Sequence, residues 1–296
     1  MSEPYRAGFV SLVGRPNVGK STLANALVGT KMAITSSKPQ TTRRVIRGIL
    51  TRPEGQLVFV DTPGIHKPRT LLGTRLNALV EQTLADVDVI VHMVPATEKV
   101  GPGDRHIRAT IDEFPRAKKV AVVSKTDLAS RDEVLEQLVE VDQLGEWDLV
   151  VPLSAVSGHQ VETLVTELLA LMPESPVLYP DGQVTDDDED VHIAELIREA
   201  ALEGVRDELP HSLAVVIDER QQEPGQVEKI FATLYVERDS QKRIMIGTGG
   251  QRLKDIGTAA RGEIEALLGH QVFLSLHVAV SKEWQRDPKK LGRLGF

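Results

Sequence analysis

Short apolar runs alternate with helical patterns over the first 170 residues of the chain. Most of the runs are continuously apolar, as strands buried on both faces of a sheet are, and they cover Gly8–Val13, Gln56–Val60, Val87–Val94, Lys119–Ser124 and Leu149–Leu153. One of the helical patterns between and after them places Val161, Leu164, Val165, Leu168 and Leu169 on a single helix face. Repeated β–α units predict an α/β fold with a doubly wound, mostly parallel sheet.

The pattern changes after residue 172. Three prolines between Leu171 and Pro180 and six acidic residues between Asp181 and Asp190 predict an interdomain linker. The elements expected beyond it are a helix, two strands, a short helix with a loop, a helix and a strand. The two longer helices are predicted over Val191–Glu208 and Gln251–Leu268, and the three strands over Leu213–Asp218, Ile230–Val236 and Val272–Val280. We therefore predict a first domain over 1–172, a linker over 173–190 and a smaller α+β domain over 191–296.

Composition and charge narrow the possible chemistry. The 296 residues suit two domains, and the absence of cysteine excludes disulfides, a thiol nucleophile and cysteine-ligated zinc. The residues before the first strand lack the apolar core that a secretory signal needs, and no run reaches the roughly 20 apolar residues that span a bilayer. The net charge is −8, but residues 240–296 hold ten Lys and Arg against five Asp and Glu. A nucleic acid could therefore bind only through a local basic face.

A phosphate-binding loop follows the first predicted strand. The segment Gly14-Arg-Pro-Asn-Val-Gly-Lys-Ser21 fits the pattern G-x-x-x-x-G-K-S/T and opens a helix near Lys20. Glycines let consecutive backbone N–H groups point at phosphates, and the helix N-terminus adds partial positive charge. Lys20 would reach the β- and γ-phosphates, and the Ser21 hydroxyl would bind Mg²⁺. The candidate phosphate contacts are Gly14, Arg15, Pro16, Asn17, Val18, Gly19, Lys20, Ser21 and Thr22.

An acidic turn follows the second strand. Asp61-Thr-Pro-Gly64 stands where parallel strands bring it to the same sheet edge as the phosphate loop. We expect Asp61 to hold Mg²⁺ through water and the Gly64 N–H to contact the γ-phosphate, with Thr62 and Pro63 beside the nucleotide.

Two further segments predict a guanine pocket. The Asp127 carboxylate in Ser124-Lys-Thr-Asp127 can accept from guanine N1–H and the 2-amino group, whereas adenine has neither donor. The Lys125 stem can lie along the base. A backbone N–H of Ser154-Ala155, after the fifth strand, could contact the guanine oxygen.

In this order the segments resemble P-loop GTPases. The resemblance makes 38–44 the first switch, with Thr41 or, as we favour, Thr42 closing on Mg²⁺ when the γ-phosphate is present. The candidate catalytic residues are then Lys20, Thr42, Gly64 and Asn17. Ile65 stands where many relatives carry a water-orienting glutamine. Asn17 stands where potassium-dependent relatives carry a cation ligand, so K⁺ binding near Asn17 is our hypothesis. Ser124 replaces the usual asparagine, and we expect lower guanine-nucleotide affinity without loss of selectivity.

The C-terminal region contains a G-x-x-G loop, Gly247-Thr-Gly-Gly250, before an amphipathic helix. K-homology (KH) domains clamp an RNA backbone with such a loop, and the predicted element order suits their type II form. The candidate RNA contacts are the loop and the basic side chains beside it: Lys242, Arg243, Gly247, Thr248, Gly249, Gly250, Arg252 and Lys254.

Taken together, the motifs resemble the Era family, a GTPase domain followed by a KH domain, over nearly the whole chain. The resemblance implies binding of 16S ribosomal RNA, a role in 30S subunit assembly and a cytoplasmic location with a peripheral membrane fraction. It also implies GTP and GDP as ligands with Mg²⁺. We expect a monomer that does not bind DNA. Thr248 and Gly249 stand where the family often has a basic residue, which predicts weaker RNA affinity.

Two alternatives stay open at this level. The first is a GTPase whose C-terminal domain serves an envelope or protein partner and binds RNA weakly. The second is a P-loop kinase acting on a small metabolite, which would have no use for the base-reading Asp127.

Overall fold

The computed structural model describes residues 4–34, 46–63, 70–203 and 212–296. It divides into two compact units. Among the described residues, the first contains 4–33, 46–63 and 76–186, and the second contains 34, 70–75, 187–203 and 212–296.

The first unit is built on a six-stranded sheet in the order β2-β3-β1-β4-β5-β6, in which only β2 runs antiparallel to its neighbour. Its elements in chain order are β1 Arg6–Gly14, α1 Lys20–Val28, β2 Ile46–Arg52, β3 Gly55–Asp61, α2 Leu71–Asp86 (from Leu76 onwards), β4 Val89–Pro95, α3 Pro102–Asp112, β5 Lys118–Ser124, α4 Arg131–Asp142, β6 Leu149–Pro152 and α5 Val161–Leu171. The predicted doubly wound α/β fold is confirmed.

Both faces of this sheet are buried under helices, which explains the continuous apolar runs. Val10 and Leu12 of β1 pack on one face, in a cluster that contains the predicted α5 stripe. Val13 of the same strand packs on the opposite face, with α2 and α3. The strand order brings the ends of β1, β3 and β5 to one sheet edge, where the predicted nucleotide motifs begin.

The chain after α5 lies against the first unit up to Asp186. The side-chain amide of Gln56, fully buried in β3, accepts from the N–H groups of Leu178 and Tyr179 and donates to the Tyr179 carbonyl. Near its end, Thr185 donates from its hydroxyl to the Arg47 carbonyl at 2.8 Å. This part of the predicted linker is therefore attached to the edge of the sheet.

The second unit has a three-stranded sheet in the order β7-β8-β9, with β8 antiparallel to β7 and parallel to β9. Its elements are α6 Glu189–Leu202, β7 Ala214–Gln221, β8 Glu228–Val236, α7 Asp239–Ile246, α8 Gln251–Leu268, β9 Val272–Val280 and α9 Pro288–Arg293. The predicted order of helix, two strands, short helix, loop, helix and strand is confirmed.

One predicted helix end was wrong, and two elements were not predicted. β2 was missed because its sequence mixes apolar residues with Arg47 and Gly48 at the sheet edge. The helix expected to reach Glu208 ends at Leu202, since Glu203 turns to an extended conformation with ψ 133°; positions 204–208 lie outside the described residues. α9 was not foreseen, although it begins with a clear cap: Asp287 accepts from the N–H of Lys289 and of Lys290.

Candidate nucleotide site and KH loop

The phosphate loop connects the end of β1 to the start of α1. Gly14 must be glycine, because a Cβ there would lie 2.7 Å from the Met93 carbonyl oxygen. Gly19, just before α1, has φ +102° and Asn17 has φ +65°. The loop is therefore tightly curled, as a phosphate cradle must be. Pro16 and Asn17 are exposed at its tip, Val18 is buried, and Thr22 is half-buried in the first turn of α1.

Lys20 is almost completely buried beneath this loop. Its Nζ donates to the carbonyls of Gly14 and Arg15, both at 3.0 Å. Burial lowers the pKa of Lys20 to about 8, and the Asp61 carboxylate opposes part of that shift. The ammonium group is thus held by two weak acceptors in a dry place, where a phosphate oxygen would be a stronger partner.

Ser21 and Asp61 meet at the same sheet edge. The Ser21 hydroxyl donates to the Asp61 carboxylate at 2.9 Å, and Asp61 is fully buried at the end of β3. The neighbouring Thr62 donates from its hydroxyl to the Leu12 carbonyl, and Pro63 follows it. One hydroxyl and one carboxylate suit Mg²⁺ when phosphate oxygens complete its coordination. Within the described ranges, no cluster of three or more histidine and acidic side chains could hold a metal alone.

Ser124 and Lys125 attach the candidate base pocket to the phosphate loop. The buried Ser124 hydroxyl donates to the Val18 carbonyl at 2.8 Å. Lys125, with φ +58°, donates from Nζ to the Asn17 carbonyl at 2.6 Å. Asp127 is exposed in the 3₁₀ turn that follows, Thr126–Leu128. Its carboxylate is therefore accessible to a base.

The Ser154 segment lies at the end of the neighbouring strand β6. The Ser154 N–H donates to the His159 carbonyl at 3.1 Å, and its hydroxyl accepts from the Ser157 N–H. These bonds build a compact turn and occupy the Ser154 amide. The predicted contact to a guanine oxygen is therefore left to the half-buried Ala155.

Other predicted nucleotide contacts lie outside the described residues. These are Thr41 and Thr42 of the first switch and Gly64 after the acidic turn, together with Ile65.

The G-x-x-G loop of the second unit joins α7 to α8. Gly247 has φ +72° and ψ 178°, a region open in practice to glycine alone, and a Cβ there would lie 2.7 Å from the Arg252 Cβ. Gly249 and Gly250 are left-handed. A shallow pocket beside the loop is lined by Ser240, Arg243, Ile244, Ile246, Gly247 and Thr248. Ile244 is 52% exposed there, and the sequence did not single out this apolar side chain beside the loop.

The basic residues around this loop have different environments. Arg243 and Lys254 are exposed, and Lys242 is half-buried. Arg252 instead donates through Nη2 to the carbonyls of Glu203, at 2.8 Å, and Ala201, at 3.3 Å. Its guanidinium therefore binds the C-terminal end of α6, where orphan helix carbonyls need donors.

Two family models match the chain, one in each unit. Residues 9–125 match a family described as 50S ribosome-binding GTPase, and residues 208–285 match the KH domain family. Fold and site together define a P-loop GTPase domain followed by a KH domain.

Relatives cover almost the full chain. The GTPase Era of a Nocardioides species is 59% identical over 302 residues, covering 99% of this chain and 96% of the relative. The GTPase Era of Streptomyces coelicolor is 57% identical, covering 99% and 95%. The chain belongs to the Era family of GTPases.

A solved structure shares the architecture. The crystal structure of Era in complex with MgGDPNP and nucleotides 1506–1542 of 16S ribosomal RNA superposes with a TM-score of 0.94, at 37% identity and covering 98% of this chain and 99% of that one. No helix in the described parts of the chain is long and apolar enough to cross a membrane.

Proposed function

We propose that this chain is a GTP-hydrolysing switch that binds 16S ribosomal RNA and acts in assembly of the 30S subunit. The observation that carries the proposal is the convergence of Lys20, the Ser21–Asp61 pair and the Ser124–Asp127 segment on one sheet edge. Phosphate, metal and base recognition then belong to a single site, as a guanine nucleotide requires.

Each part of the site acts on one part of the nucleotide. The loop amides and Lys20 bind the phosphates, and Ser21 with Asp61 holds Mg²⁺. When bound, Mg²⁺ neutralises charge on the β- and γ-phosphate oxygens. Asp127 selects guanine, since adenine would leave its carboxylate without donors. A metabolite kinase has no need of such a group, so the site favours the GTPase.

Hydrolysis requires a positioned water molecule. We propose that Thr42 and Gly64 close on the γ-phosphate side of the site and that K⁺ binds near Asn17. An isoleucine at 65 cannot orient water by hydrogen bonding, so the backbone, a partner group or the cation must do so. Equal GTPase rates in K⁺ and Na⁺ buffers, with Asn17→Ala also unchanged, would refute the cation hypothesis.

The RNA partner is proposed from the KH loop and from the relative. The Era that superposes on this chain was solved with nucleotides 1506–1542 of 16S ribosomal RNA, and the glycine geometry here suits a backbone clamp. Exposed Arg243 and Lys254 would add phosphate contacts. We also propose a cytoplasmic location with a peripheral membrane fraction, which rests on the family resemblance.

Base selection is tested with Asp127→Asn. The variant should lose GDP affinity and gain affinity for xanthosine diphosphate. The 2-amino group of guanine donates to a carboxylate, whereas the 2-oxo group of xanthine accepts from the asparagine amide. Asp132→Asn, which removes an exposed carboxylate in the first turn of α4, is the matched control and should bind GDP like the unaltered chain. An unchanged preference in Asp127→Asn would contradict the proposed pocket.

RNA binding is tested by titrating a fragment of the 3′ end of 16S ribosomal RNA across a salt series. Gly249→Asp places a negative charge in the loop and should abolish binding. Gly262→Asp adds the same charge at an exposed helical position with open space around it and should have little effect. Equal loss in both variants, or a salt slope near zero, would favour a C-terminal domain for a protein or envelope partner.

A further inference from the structure

The second residue of the phosphate loop is Arg15, whose side chain packs against the first turn of α3. Arg15 Nε donates to the Asp104 carboxylate at 2.8 Å, and Nη1 lies 3.1 Å from the Glu98 carboxylate. The Arg15 side chain is 25% exposed. Its charged end is therefore held by acidic groups of the β4–α3 region.

Asp104 is built to hold a cation. Its side chain is fully buried in the first turn of α3. One carboxylate oxygen accepts from Arg15, and the other accepts from the Gly101 N–H at 2.8 Å. A buried carboxylate without a partner is strongly unfavourable, so Asp104 constrains where Arg15 can go.

The neighbouring residues leave space for the Arg15 side chain and hold the segment of its acidic partner Glu98 in place. A Cβ at Gly103 would lie 2.9 Å from Arg15 Cδ, so the glycine lets the arginine stem pack on the first turn of α3. The segment that carries Glu98 is fixed in turn, because Gln137 Nε2 donates to the carbonyls of Pro95 and Glu98.

The two ends of the phosphate loop are attached differently. Near its end, the carbonyls of Asn17 and Val18 accept from Lys125 and Ser124. At its start, the carbonyls of Gly14 and Arg15 accept from Lys20. If Lys20 turns to a phosphate, as the proposed function requires, the start of the loop loses that donor and keeps the Arg15 attachment.

We propose that Arg15 is a positioning residue for nucleotide binding, which acts through Asp104 and does not contact the phosphates. The ion pair fixes the start of the phosphate loop, at Arg15, against α3 while Lys20 binds the nucleotide. The backbone N–H groups of the loop then stay aimed at the phosphates without reorganising. This inference rests on the proposed function, since it assigns a role within the same site.

The test measures dissociation of a fluorescent GDP from three variants: Arg15→Gln, Asp104→Asn and the double variant. Each single variant should release GDP about tenfold faster, with KM for GTP raised and kcat nearly unchanged. The double variant should release it no faster than the worse single variant, because both changes break one interaction. Circular dichroism verifies folding; Asp104→Asn keeps the acceptor for Gly101 and leaves Arg15 access to water.

Asp112→Asn is the matched control. The substitution breaks another ion pair of α3, between Asp112 and Arg108, in which the Asp112 side chain is 52% exposed. GDP release should not change in this variant. If Arg15→Gln accelerates release while Asp104→Asn does not, Arg15 contacts phosphate directly and the proposal is wrong. It is also wrong if both variants lower the melting temperature but leave release unchanged. Failure of the unaltered chain to bind GDP would instead overturn the proposed function.

Discussion

Lys20 and His92 are both buried ionisable side chains, but the nucleotide needs only one of them charged. Lys20 keeps hydrogen-bond acceptors and a nearby carboxylate. His92, fully buried in β4, has no hydrogen-bond partner at either ring nitrogen among the described residues. Its ring lies 5.8 Å from that of Trp147. The lysine therefore stays charged at neutral pH, whereas the histidine stays neutral.

GDP affinity should fall as pH rises above about 8. Burial sets the pKa of Lys20 in the free protein to about 8, and a bound phosphate raises it because the charged form gains a partner. Binding then takes up a proton in the window above pH 8, and only about a tenth of a proton at pH 7. Calorimetry in two buffers of different ionisation enthalpy measures this uptake. Proton uptake that is absent at pH 9, with unchanged affinity, would contradict the account.

Acid should destabilise the fold through His92. Burial lowers its pKa from 6.5 to about 4, with the cations Arg108, Arg15 and Lys20 adding to the shift and Asp104 opposing it. In the unfolded chain His92 is protonated below pH 6.5, whereas in the folded chain it is protonated only below about pH 4. The free energy of unfolding therefore falls across that window, by about 3 kcal/mol.

Urea unfolding of His92→Leu at several pH values measures this contribution. The variant should lose less stability than the unaltered chain between pH 6.5 and 4. His106→Leu, at an exposed position of α3, should follow the unaltered chain. Parallel pH profiles for His92→Leu and the unaltered chain would show that the histidine does not carry the effect.

Ser124→Ala should raise the GDP dissociation constant about fivefold. The serine hydroxyl ties the start of the base pocket to the Val18 carbonyl, and a buried hydrogen bond contributes about 1 kcal/mol. Ser11→Ala is the control, since this buried hydroxyl in β1 has no partner among the described residues. Equal GDP affinity of Ser124→Ala and Ser11→Ala would mean that the hydrogen bond from Ser124 to the Val18 carbonyl does not assist nucleotide binding.

At the level of elements, strands fix where the nucleotide groups lie, and loop glycines fix how the main chain approaches a ligand. The G-x-x-G loop shows the second principle most clearly. Gly247 combines a glycine-only conformation with close packing on Arg252, whereas Gly249 is left-handed with open space around it. The two glycines therefore have different tolerances to a side chain.

Gly247→Ala should destabilise the second unit more than Gly249→Ala. At Gly249 alanine meets only left-handed strain, about 1 kcal/mol. At Gly247 it adds a collision with Arg252, whose guanidinium also binds the end of α6. Chemical unfolding of both variants measures the difference. Equal losses of unfolding free energy would show that the contact with Arg252 is unimportant.

The whole molecule combines two units, each with its own buried core. Its charge is distributed unevenly: the chain is acidic overall, at −8, while residues 240–296 carry twice as many basic as acidic residues. Because acidic residues are in excess before position 240, the C-terminal region is the part of the chain whose charge would attract the phosphates of an RNA. The nucleotide site and the proposed RNA-binding surface therefore lie in different parts of the chain.

Much of this organisation could be predicted because it depends on local patterns. Apolar runs predicted five of the six strands of the first sheet, and the phosphate motif marked the start of α1 at Lys20. The edge strand β2 was not predicted, because it is short and mixes apolar with polar residues. The pairing of Arg15 with Asp104 could not be predicted, because no sequence pattern indicates a contact between residues that are 89 positions apart. Arg252, expected to contact RNA, donates to α6 carbonyls that no sequence pattern could pair with it.

The central claim is that one site at the sheet edge binds a guanine nucleotide with Mg²⁺. Isothermal titration calorimetry on the nucleotide-stripped chain with magnesium tests it most directly. The account predicts one binding site for GDP and for GTP, and no heat with ADP. The absence of heat with both guanine nucleotides, or equal binding of ADP, would contradict it.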